Sequence, residues 1–285
     1  MHQSSLALLF PMFTWQYLGF LYKAYLNHLA KNNSLYIEVN DLPVEQSKDL
    51  ELGHDKNHDF FQNIVYTIKG GHYIYASHEM EKYAREKYKQ TTSGNQVIIN
   101  GGNKTVDGKD ILNELNIKID QSKINFIYAG SLNKGRQIEQ MIDVFSDLDA
   151  NLYLIGGEGA WINDRYTHGN IKYLGIFKEE IAQIITSRCD MGIIPYDAAR
   201  FYYNLCYPTK VSFYICSGIP ILSTPLKETQ NVLGEFDLGY FADESHFHDI
   251  IKNMSKESIG TVKKNVSAVS DLFTWEKILS HLIIN

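Results

Sequence analysis

Lys210 follows Pro208 where a loop gives way to a short helix, and Gly218 and Pro220 then stop that helix before an apolar strand at 219–222. Proline suits a first helical turn, where its missing N–H would be unpaired anyway. A helix start offers free N–H groups and the positive end of a dipole, and Lys210 adds a cation at the same point. That combination suits a phosphate or a diphosphate. Two further loops have anion-binding chemistry. One is Gly130 and Ser131, followed by Lys134, Gly135 and Arg136. The other is the glycine turn Gly156, Gly157, Glu158, Gly159, which could line a nucleotide pocket or simply reverse the chain. Neither is a Walker loop or the three-glycine dinucleotide fingerprint. Each feature alone is ordinary scaffold, but three such loops following strands of one parallel sheet should converge on its carboxyl edge. Gly175, Ile176 and Phe177 add backbone groups beside an aromatic ring, as a base pocket needs.

Other chemistries find little support. The ten His are dispersed, and the pairs His54/His58 and His246/His248 lack a third ligand, so no metal is expected. There is no Gly-x-Ser-x-Gly elbow, and Cys189, Cys206 and Cys216 have no local His partner. Glu38 and Asp41 flank a strand end in the first half, where carboxylates serve as turn caps or as catalysts. A net charge of −6 argues against nucleic acid as partner. Three scattered cysteines fit buried thiols in a reducing compartment. No apolar run is long enough to span a bilayer, and the first ten residues lack the cationic region of a signal peptide. The 19 Tyr are expected in good part to line surfaces or grooves.

The elements that must position these groups alternate between strand and helix periods. The first half reads as strand 6–10, helix 12–31, strand 35–39, helix 57–69, strand 72–76, a helix 78–89 capped by Ser77, and strand 96–99. Residues 103–122 are polar and read as a linker with a short helix near 110–115. The second half reads as strands at 124–129, 152–155, 171–174, 190–195, 219–222 and 239–241, with helices between them. The pattern predicts an α/β fold with doubly wound parallel sheets in two halves.

The second half resembles the nucleotide-sugar-binding domain of GT-B glycosyltransferases. The likeness is carried, in order, by residues 128–136, 154–159, 173–175, 189–195, 207–210, 218–222 and 273–276. It covers about residues 36–285 and is nearest to bacterial glucosyltransferases of the adhesin-modifying kind and to galactofuranosyltransferase-like enzymes. The resemblance implies two Rossmann-like domains, an incomplete N-terminal one at 1–103 and a nucleotide-sugar domain at 104–270, with a terminal helix at 271–285 packing back toward the first. It implies a cytoplasmic enzyme that moves a hexose from a UDP-sugar to a carbohydrate or glycoprotein acceptor in bacterial polysaccharide or glycoconjugate assembly, without metal or other cofactor.

Placed residue by residue, Gly130 and Ser131 would touch the diphosphate through backbone, and Lys134 or Arg136 would neutralise it. Gly157 would line the nucleotide pocket and Phe177 would hold the base. Asn204, Tyr207, Thr209 and Lys210 would hold phosphate and donor sugar. Lys210, Arg136 and Asp41 are the candidate catalytic residues. Residues 38–43 match a family stretch, Glu-x-His-Asp-x-Pro, with Asn40 in place of its His, and Ser77 and Glu79 match a stretch near the domain cleft. Residues 1–103 supply about four strands where such a domain has about six, which reads as a truncated form with an exposed front edge at 6–10. That edge gives a surface for homo-oligomer formation, and peripheral membrane association is a further expectation. The alternative reading is a non-catalytic, truncated glycosyltransferase-like protein or a partner subunit of a glycosyltransferase complex. A UDP-sugar epimerase would need carboxylates and a His at the sugar, and none can be placed.

Overall fold

The computed structural model describes residues 19–53, 56–90, 94–106, 108–133, 137–165 and 169–284. The strand expected at 6–10 and the start of the helix expected at 12–31 lie outside them. In chain order the elements are α1 (Gly19–Asn32), β1 (Leu35–Val39), α2 (Pro43–Asp49), α3 (Lys56–Tyr66), β2 (Gly71–Tyr75), α4 (His78–Tyr88), β3 (Gln96–Val97) and α5 (Lys109–Glu114). There follow β4 (Ile124–Ala129), α6 (Ile138–Phe145), β5 (Ala150–Ile155), α7 (Ala160–Arg165), β6 (Ile171–Gly175), α8 (Glu179–Ser187), β7 (Met191–Ile194) and α9 (Phe201–Leu205). The chain closes with α10 (Thr209–Cys216), β8 (Ile221–Ser223), α11 (Lys227–Phe236), β9 (Gly239–Phe241), α12 (Phe247–Asn253), α13 (Lys256–Val269) and α14 (Trp275–Leu279). The chain divides into two units: one comprises 1–99, 200–207 and 278–285, the other 100–199 and 208–277. No described helix is long and apolar enough to cross a membrane.

The first unit carries a parallel sheet in the order β1-β2-β3. All of β1 except Glu38 is buried, the pattern of a strand covered on both faces. Its core gathers Leu26, Leu35, Ile37, Val39, Tyr66, Tyr73, Tyr75 and Met80, together with Tyr202 and Leu205 of α9. This packing corrects two expectations. Residues 200–207 belong here and not with the 104–270 segment, because the short α9 buries Tyr202 and Leu205 in this core. Nor do the tyrosines line surfaces alone: Tyr66, Tyr73 and Tyr75 are among the largest fully buried side chains, while Tyr25 and others stay partly or largely exposed. Burial is tolerated because each phenol finds an acceptor: Tyr73 donates to the Val65 carbonyl at 2.7 Å and Tyr75 to Gln90 Oε1 at 2.8 Å. Ser77 caps α4 by accepting from the Met80 N–H at 3.0 Å and donates to the Leu205 carbonyl. It is fully buried, and the two bonds join the start of α4 to the end of α9.

The second unit carries six strands in the order β6-β5-β4-β7-β8-β9, every pair parallel. Its core is formed by Phe126, Tyr128, Leu152, Leu154, Met191 and Ile193 from the sheet and by Ile138, Met141, Ile142 and Phe145 from α6. The 103–122 segment is not a free linker. It belongs to this unit, buries Leu112, and brings Gly108 so close to α8 that a Cβ there would lie 2.4 Å from Ile184 Cδ1. α13 opens with a capping box in which Ser255 and Ser258 each pair with the other's backbone N–H. Ser255→Ala is expected to cost about 1 kcal/mol of stability, read as a lowered urea midpoint with an unchanged slope.

Candidate functional site

The strand order of the second unit reverses between β4 and β7. One half of the sheet is wound outward from β4 through β5 to β6, the other from β7 through β8 to β9. The carboxyl ends of the two central strands then diverge, and the crevice between them is where open α/β sheets bind ligands. β4 runs into Gly130, whose φ is 144°, and β5 into Gly156, whose φ is 140°. The Gly130 N–H donates to the Ile155 carbonyl at 2.9 Å, and the Gly156 N–H to the Gly175 carbonyl at 2.9 Å. The two turns are pressed together: a Cβ on Gly156 would lie 1.8 Å from the Gly130 carbonyl oxygen. Glycine is required there on grounds of space as well as backbone angle.

α10 brings Lys210 to the same place. Pro208 flanks this helix as its N-cap, one position earlier than the first-turn position expected from sequence, and Thr209 is the first helical residue. The first turn of this helix contains no acidic residue to offset its positive end. The Lys210 ammonium donates to Tyr196 Oη at 2.7 Å and stands 4.9 Å from the ring centre of Tyr128 and 5.2 Å from that of Tyr196. A Cβ on Gly130 would lie 2.6 Å from Lys210 Nζ, so the cation rests on the bare backbone of the β4 turn. No carboxylate among the described residues lies within ion-pair distance of Lys210. A half-buried cation without an anion beside it, next to a glycine turn and a helix start, is arranged to take a bound anion.

Around this point lies a cavity of about 410 Å³, within the range of small-molecule sites. Gly130, Gly156, Thr209 and Lys210 form one side of it, and Phe177, Phe213 and Trp275 supply aromatic wall. Trp275 is fixed by backbone: its N–H donates to the Gly102 carbonyl at 3.0 Å, and a Cβ on Gly101 would lie 2.8 Å from the Trp275 Cα. Glu179, also at the cavity, accepts from Asn103 Nδ2 at 2.8 Å.

Of the residues singled out from sequence, Gly130, Phe177, Thr209 and Lys210 come together at this cavity. Ser131 follows directly, its hydroxyl bonded to Asn133 and, at 3.0 Å, to the Glu158 carboxylate. Gly157 is not part of the lining. Its carbonyl accepts from the Leu132 N–H at 2.9 Å, which holds the turn, and Gly156 takes the lining position. Lys134 and Arg136 lie outside the described residues. Asp41, Asn204 and Tyr207 belong to the first unit. There Asp41 accepts from the Tyr202 hydroxyl, and its backbone carbonyl accepts from Tyr66 Oη at 3.2 Å. Burial, with the nearby Cys206 and Asp41 adding to it, pushes the Tyr202 phenol well above its ordinary value, so it remains a donor. Asn204 donates to the Arg200 carbonyl at 2.9 Å, and Tyr207 is buried. Sequence reasoning missed Tyr196, Glu179 and Ala182. The signal for Tyr196 was its place just past the buried strand at 190–195, on the carboxyl edge of the sheet.

Glu244 lies further along that edge, after β9, and accepts from Gln137 Nε2 at 2.9 Å. Burial, helped by the charge on Asp197, raises its pKa. A carboxyl with a raised folded pKa penalises the folded state once ionised. That penalty is absent below the unfolded pKa and complete above the folded one. Glu244→Gln should therefore raise the melting temperature slightly at pH 7 and leave it unchanged near pH 3.5. A gain present only at the lower pH would contradict this.

Comparison with known proteins places this geometry in context. Residues 126–284 match the family described as glucosyltransferase 3-like, C-terminal domain. Among solved structures, sucrose-phosphate synthase from Thermosynechococcus elongatus superposes with a TM-score of 0.70 at 16% identity, over 91% of this chain and 68% of that one. HepE from Anabaena, in complex with UDP, gives 0.66 at 14% identity, over 90% and 74%. WaaG, a glycosyltransferase involved in lipopolysaccharide biosynthesis, gives 0.62 at 11% identity, over 94% and 81%. No curated protein matches the sequence. The mixed α/β architecture with parallel sheets is that of the GT-B glycosyltransferases.

Proposed function

This chain belongs, through residues 126–284, to the glucosyltransferase 3-like C-terminal domain family, and from that premise we propose that it transfers a hexose from a UDP-sugar to a carbohydrate or glycosylated acceptor. The observation that carries the reading is the Lys210 ammonium at the switch point of the second sheet, set on the Gly130 turn beside a cavity of about 410 Å³. In such a transfer the leaving group is UDP, and the chemical demand is to stabilise charge developing on its diphosphate. Preorganised N–H groups at the α10 start and a fixed cation meet that demand without reorganising during reaction. Phe177 and Trp275 offer flat apolar surface for a base or a sugar ring. The Anabaena relative binds UDP, and UDP with glucose, which supports the choice of donor class. Bacterial glycoconjugate assembly, in the cytoplasm, is the setting that accords with this chemistry.

The charge on the diphosphate is assigned to protein groups, so UDP titrated calorimetrically should bind equally well with EDTA and with magnesium. A panel of UDP-sugars, followed by release of UDP, then identifies the donor. Absence of UDP binding under both conditions would overturn the proposal, and UDP binding without turnover of any donor would favour the non-catalytic reading.

A further inference from the structure

Tyr196 is not among the residues that line the cavity, yet its hydroxyl accepts a hydrogen bond from the Lys210 ammonium at 2.7 Å. A lysine side chain has four rotatable bonds, and holding its end at one point costs conformational entropy each time an anion binds. Here that end is already held. The Tyr196 hydroxyl accepts one of its protons, and the ring centres of Tyr128 and Tyr196 stand 4.9 Å and 5.2 Å away. Both residues are themselves anchored. Tyr128 is fully buried and donates to the Ser131 carbonyl at 3.2 Å. Tyr196 follows β7, and its backbone carbonyl accepts from the hydroxyl of the buried Thr224, whose N–H in turn bonds to the Ile194 carbonyl at 3.1 Å. The two tyrosines extend from β4 and β7, the strands that flank the switch point. The cation is thus held by groups from both strands that flank the switch point.

We propose that Tyr196 is a positioning residue, whose hydroxyl holds the Lys210 ammonium where a nucleoside diphosphate meets it. The inference rests on the reading of Lys210 as a diphosphate ligand, and it predicts a coupling that a merely structural tyrosine would not have. Phenylalanine at 196 keeps the ring and its packing and removes the hydroxyl that accepts from Lys210, so the melting temperature should stay near the wild-type value. UDP affinity should fall about five- to tenfold, the cost of ordering a long side chain on binding once its preorganisation is lost. In a Lys210→Met background the same Tyr196→Phe change should alter UDP affinity less than twofold, because there is no longer a cation to hold.

The test is calorimetric titration of UDP into the wild-type chain, Tyr196→Phe, Lys210→Met and the double variant. Non-additive losses, with Tyr196→Phe nearly silent in the double variant, are the expected result. If Lys210→Met weakens UDP binding but Tyr196→Phe does not, or if the two losses simply add, the positioning role is wrong while the diphosphate site stands. If Lys210→Met binds UDP as the wild type does, the site reading itself fails, and the inference fails with it.

Discussion

Lys210→Met is expected to weaken UDP binding by about 100-fold. Methionine keeps most of the apolar stem and its packing against the tyrosine rings, so the change isolates the charge. The estimate follows from the number of contacts an ammonium can make. One of its three protons is committed to Tyr196 Oη, leaving two for phosphate oxygens. Hydrogen bonds to charged groups contribute roughly 1.5–3 kcal/mol each. Losing two, with partial replacement by water, comes to about 3 kcal/mol, or about two orders of magnitude in Kd. No carboxylate within ion-pair distance among the described residues competes for the cation, so the variant leaves no orphaned anion to confuse the measurement. The interaction is partly screened, so wild-type affinity should fall between 50 mM and 500 mM salt, and the variant's weaker binding should respond less. Equal affinities for the two proteins at low salt would remove Lys210 from the site.

What could be read from the chain before its structure follows from where the information lies. The central strands of the second unit announce themselves because each is buried on both faces, so residues 124–129 or 190–194 are near-continuous apolar runs bounded by glycine or proline, while the edge strands β6 and β9 are only partly buried. The glycines at 130 and 156 were legible for a related reason: a chain leaving a buried strand to skirt a ligand must turn sharply, and residue type records that. The short helices α2 and α9 were not legible, although α5 lies where a short helix near 110–115 is expected. α2 begins at Pro43, and its buried residues, Val44, Glu45 and Ser47, include two polar ones. Glu45 is buried only because Gln62, Tyr83 and Lys87 surround it, partners at distant positions that no local pattern encodes. α9, five residues long, has no signal of its own in the sequence, and it is held by Tyr202 and Leu205 in a core assembled from residues 26 to 84. Tyr196 escaped notice on the same grounds. Its partner lies fourteen positions away on another element, and only the crossing from β7 to α10 brings the two together. Periodicity and turn chemistry thus found the scaffold and the cation, while the groups that orient the cation are visible only in three dimensions.

Gly156→Ala is expected to destabilise the second unit by on the order of 3 kcal/mol or more and to abolish UDP binding. Two costs coincide at this residue. A φ of 140° lies where L side chains are strained, and the new methyl would sit 1.8 Å from the Gly130 carbonyl oxygen and 2.6 Å from its carbon. That obstacle is backbone, so no rotamer change relieves it. Either the β5 turn swings out, breaking the 2.9 Å bond from the Gly156 N–H to the Gly175 carbonyl, or the β4 turn moves. A moving Gly130 shifts the surface on which the Lys210 ammonium rests, and it disturbs the pairing of Ala129 with Ile155 that ends the β4–β5 ladder. Gly157 provides the control one residue further on. It has no positive φ, and nothing lies within 4 Å of a Cβ built there. Gly157→Ala should therefore change stability by about 0.5 kcal/mol at most and leave UDP binding intact. Urea melts and calorimetric titrations of the two variants side by side decide the matter. If Gly156→Ala melts and binds UDP like the wild type, the contact between the two glycine turns does not hold the site together. If Gly157→Ala is the variant that loses UDP, the nucleotide lies across the turn at a different glycine.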